Sequence, residues 1–229
     1  MGIGSRCIIG ILAASLFVSC SPLQKFASQE ELSNSSFDPF IPLPPKEVKR
    51  QAIDIRTVIG SGTTLSQGKT DAPETLLVFT NQSCAYCREF HDALLPRLKE
   101  DFVNKGLMRL DVAILPIAKY PSSGMETAAL FCAIRQGKSW EMHEALFSIT
   151  NRTRKDIVAA AKSLKLNVKE FDACLDAPDA AAFAEAQSSL AKTLNVTLVP
   201  TFFLNDEKLV GLPSYTDLRG WIEGAITQR

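Results

Sequence analysis

Net charge is missing from this sequence: its 229 residues carry 25 basic and 25 acidic side chains. Nothing in so balanced a total suggests nucleic acid or an electrostatic membrane patch. Histidine is scarce, with only His91 and His143, so a metal site of the usual four ligands has little to draw on. No apolar run reaches the roughly 20 residues that a membrane-spanning helix needs, no internal repeat is visible and no heptad pattern is sustained. What is present is a globular composition, 46% hydrophobic and 22% charged. It is enough for one sizeable domain with a buried core.

The N-terminus differs from the rest. MGIGSRCIIGILAASLFVSC carries one charge, Arg6, and then an apolar run from Cys7 to Val18. Residues 1–19 read as a secretory signal peptide; the alternative is a short hydrophobic anchor that stays attached. Phe17-Val18-Ser19-Cys20 resembles a bacterial lipoprotein box, with Phe17 where leucine is usual. That resemblance implies lipid on Cys20, which becomes the first mature residue, and a periplasmic protein anchored to a membrane. Ordinary cleavage nearby would instead leave a free thiol in an oxidising compartment, which is a liability. Residues 20–50 then form a tether: five prolines, four of them from Pro39 to Pro45, sustain neither a helix nor a central strand. Beyond it four cysteines remain, Cys84, Cys87, Cys132 and Cys174. An even number in an exported chain argues for two disulfides.

The folded domain is expected over 51–229. AIDIRTVIG, 52–60, alternates apolar and polar residues as a half-buried strand does, and GSGTTLSQGKTDAP reads as loop. ETLLVFT, 74–80, reads as a fully buried strand. From Ala85 to about Val103, residues Tyr86, Phe90, Leu94, Leu95, Leu98 and Phe102 recur at helical steps. Pro96 predicts a kink within that helix. LMRLDVAILP is a second buried strand, so the three elements make a parallel βαβ unit. A helical block spans about 120–194, with helices near 123–137, 139–150, 153–164, 168–175 and 179–194. TFFLN and EKLVG then alternate as a hairpin about Asn205-Asp206, and a helix over about 214–226 closes the chain.

The chemistry concentrates in QSCAYCREFH, 82–91, where Cys84 and Cys87 are two residues apart at a strand-to-helix junction. Redox chemistry needs a thiolate, and a helix N-terminus stabilises one through its partial positive charge and unpaired N–H groups. Cys84 would be the partly exposed attacking sulfur. Cys87, one turn on and more buried, would resolve the mixed disulfide. A metal site is the second reading, with His91 as third ligand, but one Cys pair falls short of the usual four ligands. An inert clip is the third: a loop of two intervening residues removes little unfolded-state entropy. The pair therefore reads as redox-active. A second signal is Leu198-Val199-Pro200-Thr201 directly before a strand, where proline is awkward because it cannot donate to the ladder. A cis bond at Pro200, facing the cysteines, is the reading, against a trans proline opening an edge strand.

At this point the sequence resembles the DsbA-like branch of the thioredoxin superfamily over roughly 70–228. The resemblance rests on TLLVFTNQSCAYCREFHDALLPRLKEDFV, LDVAILPI, ALFCAIRQGKSWEMHEALF, FDACL and VPTFFLN. It implies an α/β thioredoxin fold with an inserted helical domain, and a thiol–disulfide oxidoreductase of the cell envelope. Cys84 and Cys87 carry over as the redox pair, so that no separate cofactor is needed. Val199 and Pro200 carry over as the cis-proline loop, with Ala85 and Tyr86 beside them against substrate. Valine at 199 is similar to the oxidases rather than to the isomerases. The resemblance also implies a structural disulfide between Cys132 and Cys174, and packing roles for Trp140, His143 and Phe147. Implied partners are reduced exported proteins and a membrane quinone-linked reoxidase. Two positions depart from the family pattern. Ala85-Tyr86 stands where strong oxidases often have Pro-His, and Val78 stands where many relatives bury a carboxylate. Both bear on the direction of electron flow, so isomerase or reductase activity is the nearest alternative. A non-catalytic metal-binding lipoprotein is the more distant one; Met108, Met125 and Met142 do not adjoin the motif. Metabolic labelling with palmitate is expected to tag the protein and hold it on washed membranes; an unlabelled, freely washed protein rules the Cys20 anchor out.

Overall fold

Seven consecutive buried residues, Glu74–Thr80, make the central strand of the computed structural model, which describes residues 54–59 and 63–228. The expected signal peptide, Cys20 and the tether over 20–50 lie outside the described residues. A five-stranded sheet runs in the order β1-β3-β2-β4-β5. Its strands are β1 (Leu65–Gln67), β2 (Glu74–Thr80), β3 (Met108–Ile114), β4 (Thr201–Leu204) and β5 (Glu207–Val210). β2 pairs in parallel with β3 and antiparallel with β4, so both of its edges are satisfied. That is why the run LLVF, 76–79, is continuously apolar rather than alternating: each face meets a packed layer.

The side chains of β2 divide by parity. Leu76 and Val78, with Leu110, Val112, Phe202 and Leu204, face a large core closed by Phe90, Leu94, Leu98, Phe102, Leu218 and Ile222. Leu77 and Phe79, with Ala113 and Phe203, face a smaller one that holds Ile55, Leu190, Leu194 and Val196. The helices are α1 (Ile55–Val58), α2 (Ala85–Glu89), α3 (Leu95–Leu98), α4 (Ser123–Ile134), α5 (Ser139–Ser148), α6 (Arg154–Ser163), α7 (Val168–Cys174), α8 (Pro178–Thr193) and α9 (Tyr215–Thr227). α4 to α8 all fall between β3 and β4 in the chain. The Cys132–Cys174 disulfide ties α4 to the end of α7, with their Cα atoms 5.8 Å apart. No helix among the described residues is long and apolar enough to cross a membrane.

Two expectations for the N-terminal part need correction. DIRTVI, 54–59, the described part of that expected strand, is not a strand: Asp54 caps a single helical turn, α1, by accepting the Arg56 N–H at 2.9 Å. Arg56 then reaches across to Thr75 Oγ1 at 3.0 Å and Asn205 Oδ1 at 3.2 Å. Alternation over so few residues does not separate a strand from one turn whose Ile55 is buried, and the capping aspartate favoured the turn. The sheet edge goes instead to LSQ, read as loop, with Leu65 opposite Val112.

The helical run after Cys84 also differs from the expected kinked helix. Its hydrogen-bond ladder widens twice into π turns, at Phe90–Leu94 and Lys99–Val103. Pro96 sits in the first turn of α3 between them. Proline has no N–H to give, and a position where the ladder has just been reset costs it least. Phe90 lies edge-on to Phe202 with ring centroids 5.1 Å apart, which seats this run on the sheet. Phe202→Ala is expected to lower unfolding free energy by about 3–5 kcal/mol in a denaturant titration; a loss under about 1 kcal/mol would show that this face is not tightly packed.

Candidate active site

β2 ends at Thr80, and the next residue organises the site. Asn81 is fully buried. Its Nδ2 donates to the Leu115 carbonyl at 2.9 Å and to Ser123 Oγ at 2.7 Å. Its Oδ1 accepts the Ser83 N–H at 2.9 Å, and its carbonyl accepts the Cys84 N–H at 3.1 Å. One asparagine thus joins the end of β2, the segment after β3, the start of α4 and the turn that carries Cys84. Cys84 is the N-cap of α2, in extended conformation, and its side chain makes no capping bond. The sulfur is thereby free to point elsewhere, and it lies 3.5 Å from the Val199 carbonyl oxygen as donor. The Val199–Pro200 bond is cis.

Cys84 and Cys87 are both free thiols in this structure. Cys87 is fully buried, and Cys84 is only 7% exposed, less open than the sequence reading supposed. The cause is packing: Phe147 of α5 closes over both sulfurs, with Tyr120 and Val199 alongside. Ala85 is exposed and Tyr86 is 64% exposed. Leu198, which precedes Val199, is 62% exposed.

Burial pushes the Cys87 thiol up to about 12, against the opposing pull of the Thr80 hydroxyl and the Asn81 backbone; the neighbouring Cys84 raises it further. A thiol so placed holds its proton at neutral pH, and a thiolate formed there would recapture one. His143 is fully desolvated, which pushes its imidazole down to about 3. Its Nδ1 lies 3.3 Å from Gln82 Nε2, and its ring packs edge-on against Trp140 and Phe147. His91 stacks on Phe147 with ring centroids 4.3 Å apart and pairs with Asp92 at 2.7 Å. Among the described residues no group of three or more histidine, cysteine or acidic side chains is arranged to hold a metal ion.

Several site residues escaped the sequence reading. Glu126 of α4 is fully buried and pairs with Arg152 at 3.0 Å. It also accepts from Ser83 Oγ at 3.2 Å and Ser122 Oγ at 2.9 Å. Arg152 Nη2 donates to the Gln82 carbonyl at 2.9 Å, and Arg88 to the carbonyls of Gln82 and Phe147. Asn81 and Gln82 stood next to the motif and offered a signal. Glu126 and Arg152 offered none, since charged residues in a helical block ordinarily face water.

The raised Cys87 pKa carries a sign. The folded, reduced protein binds this proton more tightly than the unfolded chain, so the stability it contributes is full below about pH 9 and lost as pH rises toward about 12. The expected outcome of residue-resolved alkylation of the reduced protein at pH 8 is a modified Cys84 and an unmodified Cys87, with Cys87 reacting only as pH approaches 12. Equal labelling of both at pH 8 contradicts the burial argument.

Comparison with known proteins places this geometry. Residues 60–224 match the Thioredoxin family. Disulfide bond formation protein D of Bacillus subtilis is 25% identical over 167 residues, 68% of this chain and 74% of that protein. The crystal structure of oxidised BdbD from Bacillus subtilis superposes with a TM-score of 0.67 at 24% identity, covering 72% of this chain and 94% of that one. Alpha-DsbA1 of Wolbachia pipientis gives a TM-score of 0.68 at 17% identity over 77% of this chain and 97% of that one. The sheet, the cis proline before β4 and the helices set between β3 and β4 are therefore a thioredoxin fold with a helical insertion, and the chain belongs to the thioredoxin family.

Proposed function

We propose that this protein is a thiol–disulfide oxidoreductase that introduces disulfides into exported proteins through Cys84 and Cys87. The observation that carries the reading is the asymmetry of the pair: Cys84 sits at the helix start against the Val199 carbonyl, with Cys87 sealed behind it. The likeness to disulfide bond formation protein D supports the direction. In the oxidised protein a substrate thiolate attacks Cys84 Sγ. The new bond is a mixed disulfide, and the electron pair of the broken Cys84–Cys87 bond leaves on Cys87, which takes up a proton. Attack by the substrate's second thiolate on its own bridging sulfur then releases Cys84. The substrate has lost two electrons and the protein's pair has gained them.

Ala85, Tyr86, Val199 and Pro200 line the approach of substrate, and backbone groups at Val199 offer pairing to an extended chain. Cys132–Cys174 serves as a structural bond. Lipid on Cys20 would hold the enzyme at the periplasmic face of a membrane, near a quinone-linked partner that reoxidises the pair. A second reading, disulfide interchange, draws on the 31% identity over 81 residues to thiol:disulfide interchange protein DsbG of Escherichia coli.

Titration of the Cys84–Cys87 couple in glutathione buffers separates the two. An oxidase is expected nearer about −120 mV, and a value near about −270 mV supports a reducing role instead. Cys87→Ala, first converted by oxidised glutathione to the Cys84–glutathione mixed disulfide, is expected to exchange glutathione, released as its thiol, for a thiol of a reduced exported protein and so accumulate mixed disulfides through Cys84, seen as adducts on non-reducing gels. Cys84→Ser should abolish them. Adducts that persist in Cys84→Ser would assign the attacking sulfur elsewhere.

A further inference from the structure

A closed ring of polar contacts lies directly behind the redox turn. Ser83, the residue before Cys84, donates to Glu126 Oε1. Glu126 Oε1 pairs with Arg152 Nε, and Arg152 Nη2 donates to the carbonyl of Gln82, the residue before Ser83. Arg88, the residue after Cys87, reaches the same carbonyl at 3.5 Å. Three segments from two parts of the fold meet here: the turn 82–84, α4 of the helical insertion, and the junction between α5 and α6. Arg152 takes a left-handed backbone conformation at that junction, with φ 50°, uncommon for a non-glycine residue.

The ring is costly for a clamp. Glu126 is 0% exposed, and its Oε2 is buried with no hydrogen-bond partner. A merely mechanical tie between helix and turn needs no charge, and a well-packed apolar contact would hold it as well. Burial raises the Glu126 carboxyl, while Ser122, Arg152, Ser83 and Arg88 act in the other direction. Burial lowers the Arg152 guanidinium, opposed by Glu126. A buried carboxylate and two half-buried guanidiniums thus stand beside the redox turn. At such a site the electrostatic influence of each charge is little screened.

We propose that Glu126 is a positioning residue of the redox site: ionised and paired with Arg152, it fixes Ser83 in place before Cys84 and counters the positive charge of Arg88 and Arg152 there, and so sets the balance between the dithiol and disulfide forms. This rests on the redox reading of Cys84–Cys87. A disulfide carries no charge, whereas the reduced pair can hold one as a thiolate. A more positive surrounding favours the reduced form and makes the pair a stronger oxidant; a less positive one does the reverse. The groups that face Glu126 are Ser83 from the turn, Ser122 at the start of α4, Arg88 from α2 and Arg152 from the α5–α6 junction.

The test is a glutathione titration of the full chain as wild type, Glu126→Gln, Glu126→Asp and Arg152→Gln. Glu126→Gln keeps the shape and an acceptor oxygen but loses the charge, and should shift the equilibrium constant with glutathione toward the reduced form by about threefold to tenfold, tenfold being about 30 mV. Arg152→Gln should shift it toward the disulfide, and Glu126→Asp should stay near wild type. A mere loosening of the turn would move both Gln variants the same way, so shifts of one sign overturn the proposal, as do shifts under about threefold in both. Should Glu126→Gln fail to fold, Arg152→Gln with Ser83→Ala decides: Arg152→Gln must favour the disulfide and Ser83→Ala must move the balance less. A wild-type protein with no exchangeable Cys84–Cys87 disulfide would instead defeat the redox reading itself; a working couple indifferent to both charges defeats this inference alone.

Discussion

The carboxamide of Asn81 is the contact on which the site's geometry depends. β2 is hydrogen-bonded on both edges and buried on both faces, so its end is as well placed as any point in the molecule. Asn81 spends that order on its neighbours, bonding the segment after β3, the first turn of α4 and the turn that carries Cys84. A buried amide with its donor and acceptor sides both occupied holds direction as well as distance. The backbone carbonyl of the same residue accepts the Cys84 N–H, and the sulfur is left to meet the loop at Val199.

From that anchor the two cysteines acquire different surroundings. Cys87 lies one helical turn inside, against Thr80 and under Phe147, where desolvation holds its proton. Cys84 lies at the helix start, where N–H groups have no intrahelical partner and favour negative charge. The helical insertion takes part in making that difference. Phe147 is its lid over the sulfurs, and Glu126 and Arg152 are its polar contacts with the turn. His143, part of the sequence likeness, is a neutral, desolvated ring packed edge-on against Trp140 and Phe147.

How much of this was legible varies with the length of the pattern. ETLLVFT and LMRLDVAILP announce buried strands because an apolar run bounded by turn residues has few other uses. The helices from α4 to α9 follow from periodicity and caps over ten or more residues in most cases. AIDIRTVIG misled because a short alternation is compatible with one capped turn, and Arg56 found partners on β2 and at the β4–β5 turn that no local pattern shows. LSQ in β1 was invisible because three residues carry no period; the edge of β3 made it a strand. Pro96 marked this stretch as irregular for a helix, but no local pattern announced the two π turns on either side of it.

By itself the sequence determined the order of elements and the identity of the reactive pair, because hydrophobic period and a two-residue cysteine spacing are local properties. It also marked Pro200, since proline before a strand is a local anomaly. The tertiary structure alone decided how closely Cys84 is covered, which carbonyl its sulfur meets, and that a glutamate 42 residues further along would be buried behind it. Those depend on desolvation and on contacts between segments far apart in the chain, and neither is written in any one stretch of residues.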